Sequence, residues 1–225
     1  MEGKLADQVR QQAARTIRTK VRDWGNQPRK AGRRWLSELV QNALDSADQA
    51  GVTKVHVRME MTKRMFVFEH DGGHFTIDNL AALITGGSSK PYETPESLGQ
   101  FGTGFLVTHA VSTKVKAEGF ASSGDDSKMP FSLTLDRSGD EAGIQKNIET
   151  NLHQLESSDI NGSQLSKLTR FVYSFDNDEN RRTCSEGLDL WTKILPLAFA
   201  FADNLAGVEL SEEEKRTSWR RVPTG

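Results

Sequence analysis

The stretch Glu38-Leu39-Val40-Gln41-Asn42-Ala43-Leu44-Asp45 decides how the rest of the chain is read. From Arg29 to Ala50 the apolar residues Leu36, Leu39, Val40, Ala43, Leu44 and Ala47 recur with i, i+3, i+4, i+7 spacing, the pattern of a helix with one face in a core, and Gly51 ends it. At about 100° per residue, Glu38, Asn42 and Asp45 fall together within an arc of about 60° on the other side. No Lys or Arg shares that arc. A solvated helix face ordinarily mixes charge signs and uses strong helix formers, and asparagine is a middling one. Acid, amide and acid in a row therefore point to a cation or phosphate site.

On the carboxyl side, Val52 to Glu60 alternates through Val55, Val57 and Met59, a turn is expected at Thr62 to Lys63, and Met65 to Glu69 continues as a second strand. The hairpin ends in Asp71-Gly72-Gly73, where a carboxylate can accept hydrogen bonds and the glycines allow close approach of a flat ligand. Alone, that tripeptide reads as an ordinary turn. Thr76 is placed to cap a short helix through Ile84, and Gly86 to Glu96 reads as a loop. The run Gly99-Gln100-Phe101-Gly102-Thr103-Gly104-Phe105 sets three glycines ahead of a helix, a geometry that leaves backbone N–H groups free for phosphate oxygens. It lacks the Lys-Ser/Thr ending of a P-loop and the strand–loop–helix setting of the dinucleotide fingerprint. Further strands are expected at Thr113 to Phe120, Met129 to Asp136, Leu168 to Phe175 and Val208 to Leu210, and a helix at Leu188 to Asn204 flawed by Pro196.

Composition narrows the class. In 225 residues, 36% are hydrophobic and 27% charged, which fits a compact core with polar loops. The single cysteine, Cys184, cannot form an internal bridge, and no Cys/His spacing suits zinc. The longest apolar run, Ile194 to Ala202, falls far short of the ~20 residues that cross a bilayer, and Met1 to Lys20 has no signal-peptide core, so a cytoplasmic location and no membrane partner are expected. His56, His70, His74, His109 and His153 show no triad or metal spacing and read as packing or exposed residues.

The formal charge of −2 hides an asymmetry. Residues 1–34 hold ten Lys/Arg against three Asp/Glu, and the remaining chain 19 against 28. Leu5, Val9, Ala13, Ile17 and Val21 recur every fourth position within this basic arm, an amphipathic helix with a narrow stripe that breaks at Asn26-Gln27-Pro28.

The order and spacing of the three polar segments, an acid-amide-acid helix, a hairpin ending in Asp-Gly-Gly and a triple-glycine turn, resemble the ATP-binding domain of the GHKL superfamily, the Bergerat fold. The resemblance covers about Arg29 to Leu210. The wording His70-Asp71-Gly72-Gly73-His74-Phe75, then Ser88-Ser89-Lys90, then Gly99 to Phe105, is most similar to the sacsin-like and MORC-like branches. Phe75 stands where many members carry a second glycine, a departure the sacsin-like branch shares. The resemblance implies an α/β fold, an α+β two-layer sandwich whose mixed sheet carries helices on one face. It divides the chain into a basic helix or arm over 1–28, an ATP-binding domain over 29–210 with a lid at about 85–98 and a polar insertion at 137–164, and a tail over 211–225.

Position by position, the resemblance makes Glu38 the general base that aligns a water on the terminal phosphate, and Asn42 the magnesium ligand. Asp45 falls as the acid near the phosphates, and Asp71 as the carboxylate that reads the adenine amino group with Gly73 giving the base room. Lys90 in the lid is placed to neutralise phosphate charge. Gly99, Phe101, Gly102, Thr103 and Gly104 form the phosphate loop, and Thr169 lies beside the adenine. ATP and Mg2+ are the implied ligands, and slow hydrolysis with ATP-driven lid closure the implied activity, since related proteins complete the site from a second domain.

A second copy of the chain, further domains or protein clients of a chaperone-like machine are the implied partners. The competing class is a nucleotide-gated module that binds protein or nucleic acid, with hydrolysis incidental. The basic arm motivates it, but the arm lacks interleaved aromatics, so nucleic acid is the less favoured partner.

Overall fold

The computed structural model describes residues 2–87, 104–122, 128–157 and 168–222. In chain order the elements are α1 (Glu2–Gly25), α2 (Pro28–Gly32), α3 (Trp35–Ala50), β1 (Val55–Met61), β2 (Met65–His70), β3 (Phe75–Thr76), α4 (Ile77–Thr85) and a 3₁₀ helix (Phe105–Ala110). Then follow β4 (Lys114–Ser122), β5 (Lys128–Asp136), α5 (Glu141–Ser157), β6 (Thr169–Ser174), α6 (Asp178–Phe201), β7 (Leu205–Glu212) and β8 (Lys215–Arg220). The eight strands form one mixed sheet in the order β3-β4-β6-β2-β1-β7-β8, with β5 on β4. β1 and β7 run parallel, as do β3 and β4, and the other neighbours are antiparallel. The fold is α/β, a mixed sheet with helices, as expected.

The apolar stripe of α3 produces the core. Trp35, Leu36, Leu39, Val40, Ala43 and Ala47 are all buried. Gly51 closes the helix in the left-handed conformation at φ 67°, its N–H reaching the Ala47 and Asp48 carbonyls. The helix does not run unbroken from Arg29: α2 begins at Pro28, the first-turn position that needs no N–H donor, and the chain turns at Arg33–Arg34 before α3. Beyond Gly51, β1 alternates strictly, with Val55, Val57, Met59 and Met61 buried and His56, Arg58 and Glu60 exposed. One face of the sheet therefore packs under helices and the other is open. The hairpin turn is held by Thr62, whose Oγ1 accepts from the N–H groups of Arg64 and Met65 at 3.2 and 3.1 Å.

The open face carries a ladder of opposite charges across strands. Lys116 Nζ lies 2.7 Å from Glu118, and Arg170 lies 3.2 Å from Glu118 and 3.1 Å from Glu69. Arg58, directly opposite Glu69, is 3.7 Å from Glu209. Each exposed pair contributes at most about 1 kcal/mol, but together they keep the face polar.

Four expectations about organisation change. Residues 137–164, read as a polar insertion, contain α5, whose Ile144 and Ile148 are buried. Its Asn147 and Asn151 donate to the Thr134 carbonyl of β5 at 2.9 and 3.0 Å. The tail after Leu210 is instead a hairpin: Glu213 turns the chain at φ 50° and β8 pairs along β7 from Glu212↔Lys215 to Gly207↔Arg220. The basic arm is part of the domain. Ala14 and Ile17 of α1 are fully buried, Arg10 and Arg15 pair with Glu149 and Glu141 of α5 at 3.5 and 3.3 Å, and Asp7 accepts from Gln145 at 2.7 Å. Only the first half of the expected stripe is uncovered, with Leu5 and Val9 at 66% and 60% exposure. The helix expected from Leu188 starts at Asp178, where Asn177 caps it by accepting the Asn180 N–H. Among the described residues no helix is long and apolar enough to cross a membrane.

Candidate functional site

Helix α3 is the platform on which the distant segments meet. Glu38 stands in its first turn with a side chain only 15% exposed, and Oε1 accepts from Arg34 Nη2 at 2.8 Å, an i, i+4 pair. The other carboxylate oxygen, Oε2, faces Gly104: a Cβ added there would overlap it. Gly104 is thus a glycine because the carboxylate occupies the space a side chain would need. One turn beyond Glu38, Asn42 is 5% exposed, and its Nδ2 meets no partner among the described residues. Asp45, a further turn along, is half-buried.

The Asp-Gly-Gly turn lies flat across the next turns of the same helix. A Cβ on Gly72 would sit 2.5 Å from the Ala43 carbonyl oxygen, and one on Gly73 would sit 2.9 Å from both the Ser46 carbonyl oxygen and Ala50 Cβ. Gly73 also has φ +123°, a region that side chains rarely enter. The role expected for Gly73, leaving room for a base, is accompanied by a direct one: it lets the strand end touch α3. Thr169 is buried, lies directly opposite His70 in the β2–β6 register, and donates from Oγ1 to the Gly73 carbonyl at 3.2 Å.

Glu38, Asn42, Gly73, Gly104 and Thr169 are therefore held at one side of the sheet, on or against α3 and the ends of β2 and β6. The Asp71 carboxylate is not with them. Its Oδ1 accepts the His56 N–H at 2.6 Å and its Oδ2 lies 3.0 Å from His56 Nδ1. His56 belongs to the exposed residues of β1, so this pair lies on the open face, lining a cavity of about 370 Å³ with Arg58, Glu209 and Arg220. Lys90, Gly99, Phe101, Gly102 and Thr103, and most of the expected lid, lie outside the described residues.

Three residues escaped sequence reasoning. Arg34 was legible, because it stands four positions before Glu38 at ion-pair spacing. His56 could not be foreseen as the partner of Asp71, since the pairing depends on the β1–β2 register. His70 reads from the sequence as a packing or exposed residue. It is buried at the end of β2, and its Nδ1 accepts the Gly72 N–H at 3.2 Å.

Burial holds two histidines neutral. His70 is pushed down to about 4 by desolvation, against the opposing pull of Asp71. His109 in the 3₁₀ helix is pushed down to about 3, first by burial and then by the Arg137 guanidinium. Unfolded histidines titrate near about 6.5, so between that pH and about 4 the unfolded chain binds protons that the fold refuses, and stability falls as pH drops. Urea unfolding should show a loss of about 3–4 kcal/mol from pH 7 to pH 5, above the range where carboxylates titrate. A transition midpoint unchanged over that interval would mean that both rings are protonated in place.

Among the described residues no group of three or more His, Cys, Asp or Glu is arranged to hold a metal ion. Magnesium does not require one, since it commonly takes one or two protein oxygens and completes its shell with phosphate and water. Asn42, beside Glu38, carries one such oxygen, and its buried Nδ2, a donor without a partner among the described residues, suits an anionic oxygen such as that of a phosphate. The chain matches no family model and no curated protein.

Proposed function

We propose that the chain binds Mg-ATP on α3 and hydrolyses it slowly. The observation that carries the reading is convergence: two glycine segments far apart in sequence, Gly72-Gly73 and Gly104, are both pressed against the helix that bears Glu38 and Asn42. Their lack of side chains lets the segments that the resemblance assigns to the base and to the phosphates close onto the helix at its acid-amide face. Asn42 would offer its amide oxygen to Mg2+, which when bound supplies charge neutralisation on the phosphates.

The two oxygens of Glu38 have different work. Arg34 fixes Oε1 and with it the rotamer, while Oε2 faces the start of the 3₁₀ helix and is the oxygen available to align and deprotonate a water.

Calorimetric titration of the full chain with ATP and Mg2+ tests this. A one-site binding curve with a dissociation constant below about 1 mM is expected. Asn42→Ala should weaken the magnesium-dependent part of the affinity by about tenfold. No saturable heat from the unmodified chain would sink the reading.

A further inference from the structure

Arg34 stands at the N-cap of α3 with its backbone fixed on both sides. Its N–H donates to the Ala31 carbonyl at 2.9 Å, and its carbonyl accepts the Glu38 N–H at 3.0 Å. The side chain is less confined. It is 52% exposed, and an arginine in water ordinarily spreads over many rotamers. The contact from Nη2 to Glu38 Oε1 fixes one edge of the guanidinium and leaves the group free to swing about that edge. A lone ion pair at a wet surface holds its partners weakly.

Trp24, near the end of α1, supplies a second point of attachment. Its ring centre lies 5.5 Å from the Arg34 guanidinium carbon, within cation–π range. The indole is itself held: it packs half-buried against the core, and the Trp24 carbonyl accepts the Gln27 N–H at 3.0 Å in the turn between α1 and α2. Lys30 Nζ lies 5.6 Å from the same ring. The two cations differ in what they touch next, because Arg34 carries the contact on to the carboxylate of Glu38 at 2.8 Å.

We infer, on the hydrolytic reading above, that Trp24 is a positioning residue: the indole holds the Arg34 guanidinium, which in turn orients the Glu38 carboxylate toward the attacking water. The basic arm thereby takes part in hydrolysis as the support of the base, acting through Arg34. Since Glu38 is assigned to the water and not to the nucleotide, a loosened carboxylate slows the reaction and leaves ground-state binding intact.

Steady-state turnover of the full chain and its calorimetric affinity for Mg-ATP separate those two effects. Trp24→Leu should lower kcat by about three- to tenfold and leave the dissociation constant within about twofold. Trp24→Tyr, which keeps an aromatic face, should retain at least about half of the parental turnover. Lys30→Met removes the other cation from the ring and should leave both quantities within about twofold of the parent. Arg34→Met should lower kcat at least as far as Trp24→Leu does. In that background Trp24→Leu should cost less than about twofold more, because the link through which it acts is gone. All chains are assayed below the lowest of their melting midpoints, so that unfolding does not enter the comparison. Parental turnover in Trp24→Leu, or the same fractional loss with and without Arg34, overturns the assignment alone. An unmodified chain that does not hydrolyse Mg-ATP overturns the hydrolytic reading and this assignment with it.

Discussion

Glu38→Gln is expected to lower ATP turnover by at least about a hundredfold while leaving nucleotide affinity within about threefold. Glutamine keeps the size of the side chain, and its Oε1 can still accept from Arg34, so the 2.8 Å contact that orients the group survives. What it loses is basicity at the oxygen facing Gly104. A neutral amide there cannot take a proton from water, and general-base catalysis contributes about 10²–10⁴ in rate. Phosphate release under single-turnover and steady-state conditions, alongside calorimetric affinity, separates the two quantities. Turnover at the parental rate would refute the base assignment. Reduced affinity with unchanged turnover would place Glu38 among the binding residues instead.

Much of the arrangement behind that prediction was legible because α3 is amphipathic in the simplest way. One set of residues at i, i+3, i+4 spacing enters the core, and the acid-amide-acid set lies on the side that other segments approach. The hairpin was legible because β1 has one wet face and so alternates strictly. β2 was harder: it lies between β1 and β6, and Phe66, Val67 and Phe68 are all buried, so no alternation shows which of His70 and Asp71 points inward. That parity is decided by pairing with His56, a tertiary fact.

The elements that sequence reasoning missed share a different cause. β8 is an edge strand with only β7 beside it, and its Lys215, Arg216, Ser218 and Arg220 are exposed. Such a strand is polar by necessity, because charge on an open edge discourages pairing with other chains. α5 hides its periodicity because it meets β5 partly through asparagines: Asn147 and Asn151 satisfy a strand carbonyl where a reader looks for leucine. Leu5 and Val9 erred in the other direction, an apolar stripe continuing past the part of α1 that the domain covers.

The largest expected effect on stability lies under the site, where α3 meets α6. Trp35 is fully buried, edge-on to Phe66 at 5.0 Å between centroids and 6.3 Å from Tyr173. Trp35→Ala should cost about 3–5 kcal/mol, a large part of the total stability of about 5–15 kcal/mol expected for a domain. Opposite the indole, Gly187 sits inside α6, where alanine would ordinarily gain up to about 1 kcal/mol in helix propensity. Here a Cβ would overlap Trp35 Nε1 and stand 2.7 Å from the Gly32 carbonyl oxygen. Neither neighbour can yield cheaply, because one is a ring locked against Phe66 and the other is backbone. Gly187→Ala should therefore destabilise by about 1–3 kcal/mol despite the better propensity. In the Trp35→Ala background the obstructing ring is gone, and the alanine at 187 partly fills the space, so the double variant should be more stable than the sum of the single effects predicts by about 1 kcal/mol or more. Urea unfolding of the four chains, compared at equal slopes, measures that coupling. Strict additivity, or a Gly187→Ala chain as stable as the parent, would show that α3 and α6 do not meet through this glycine.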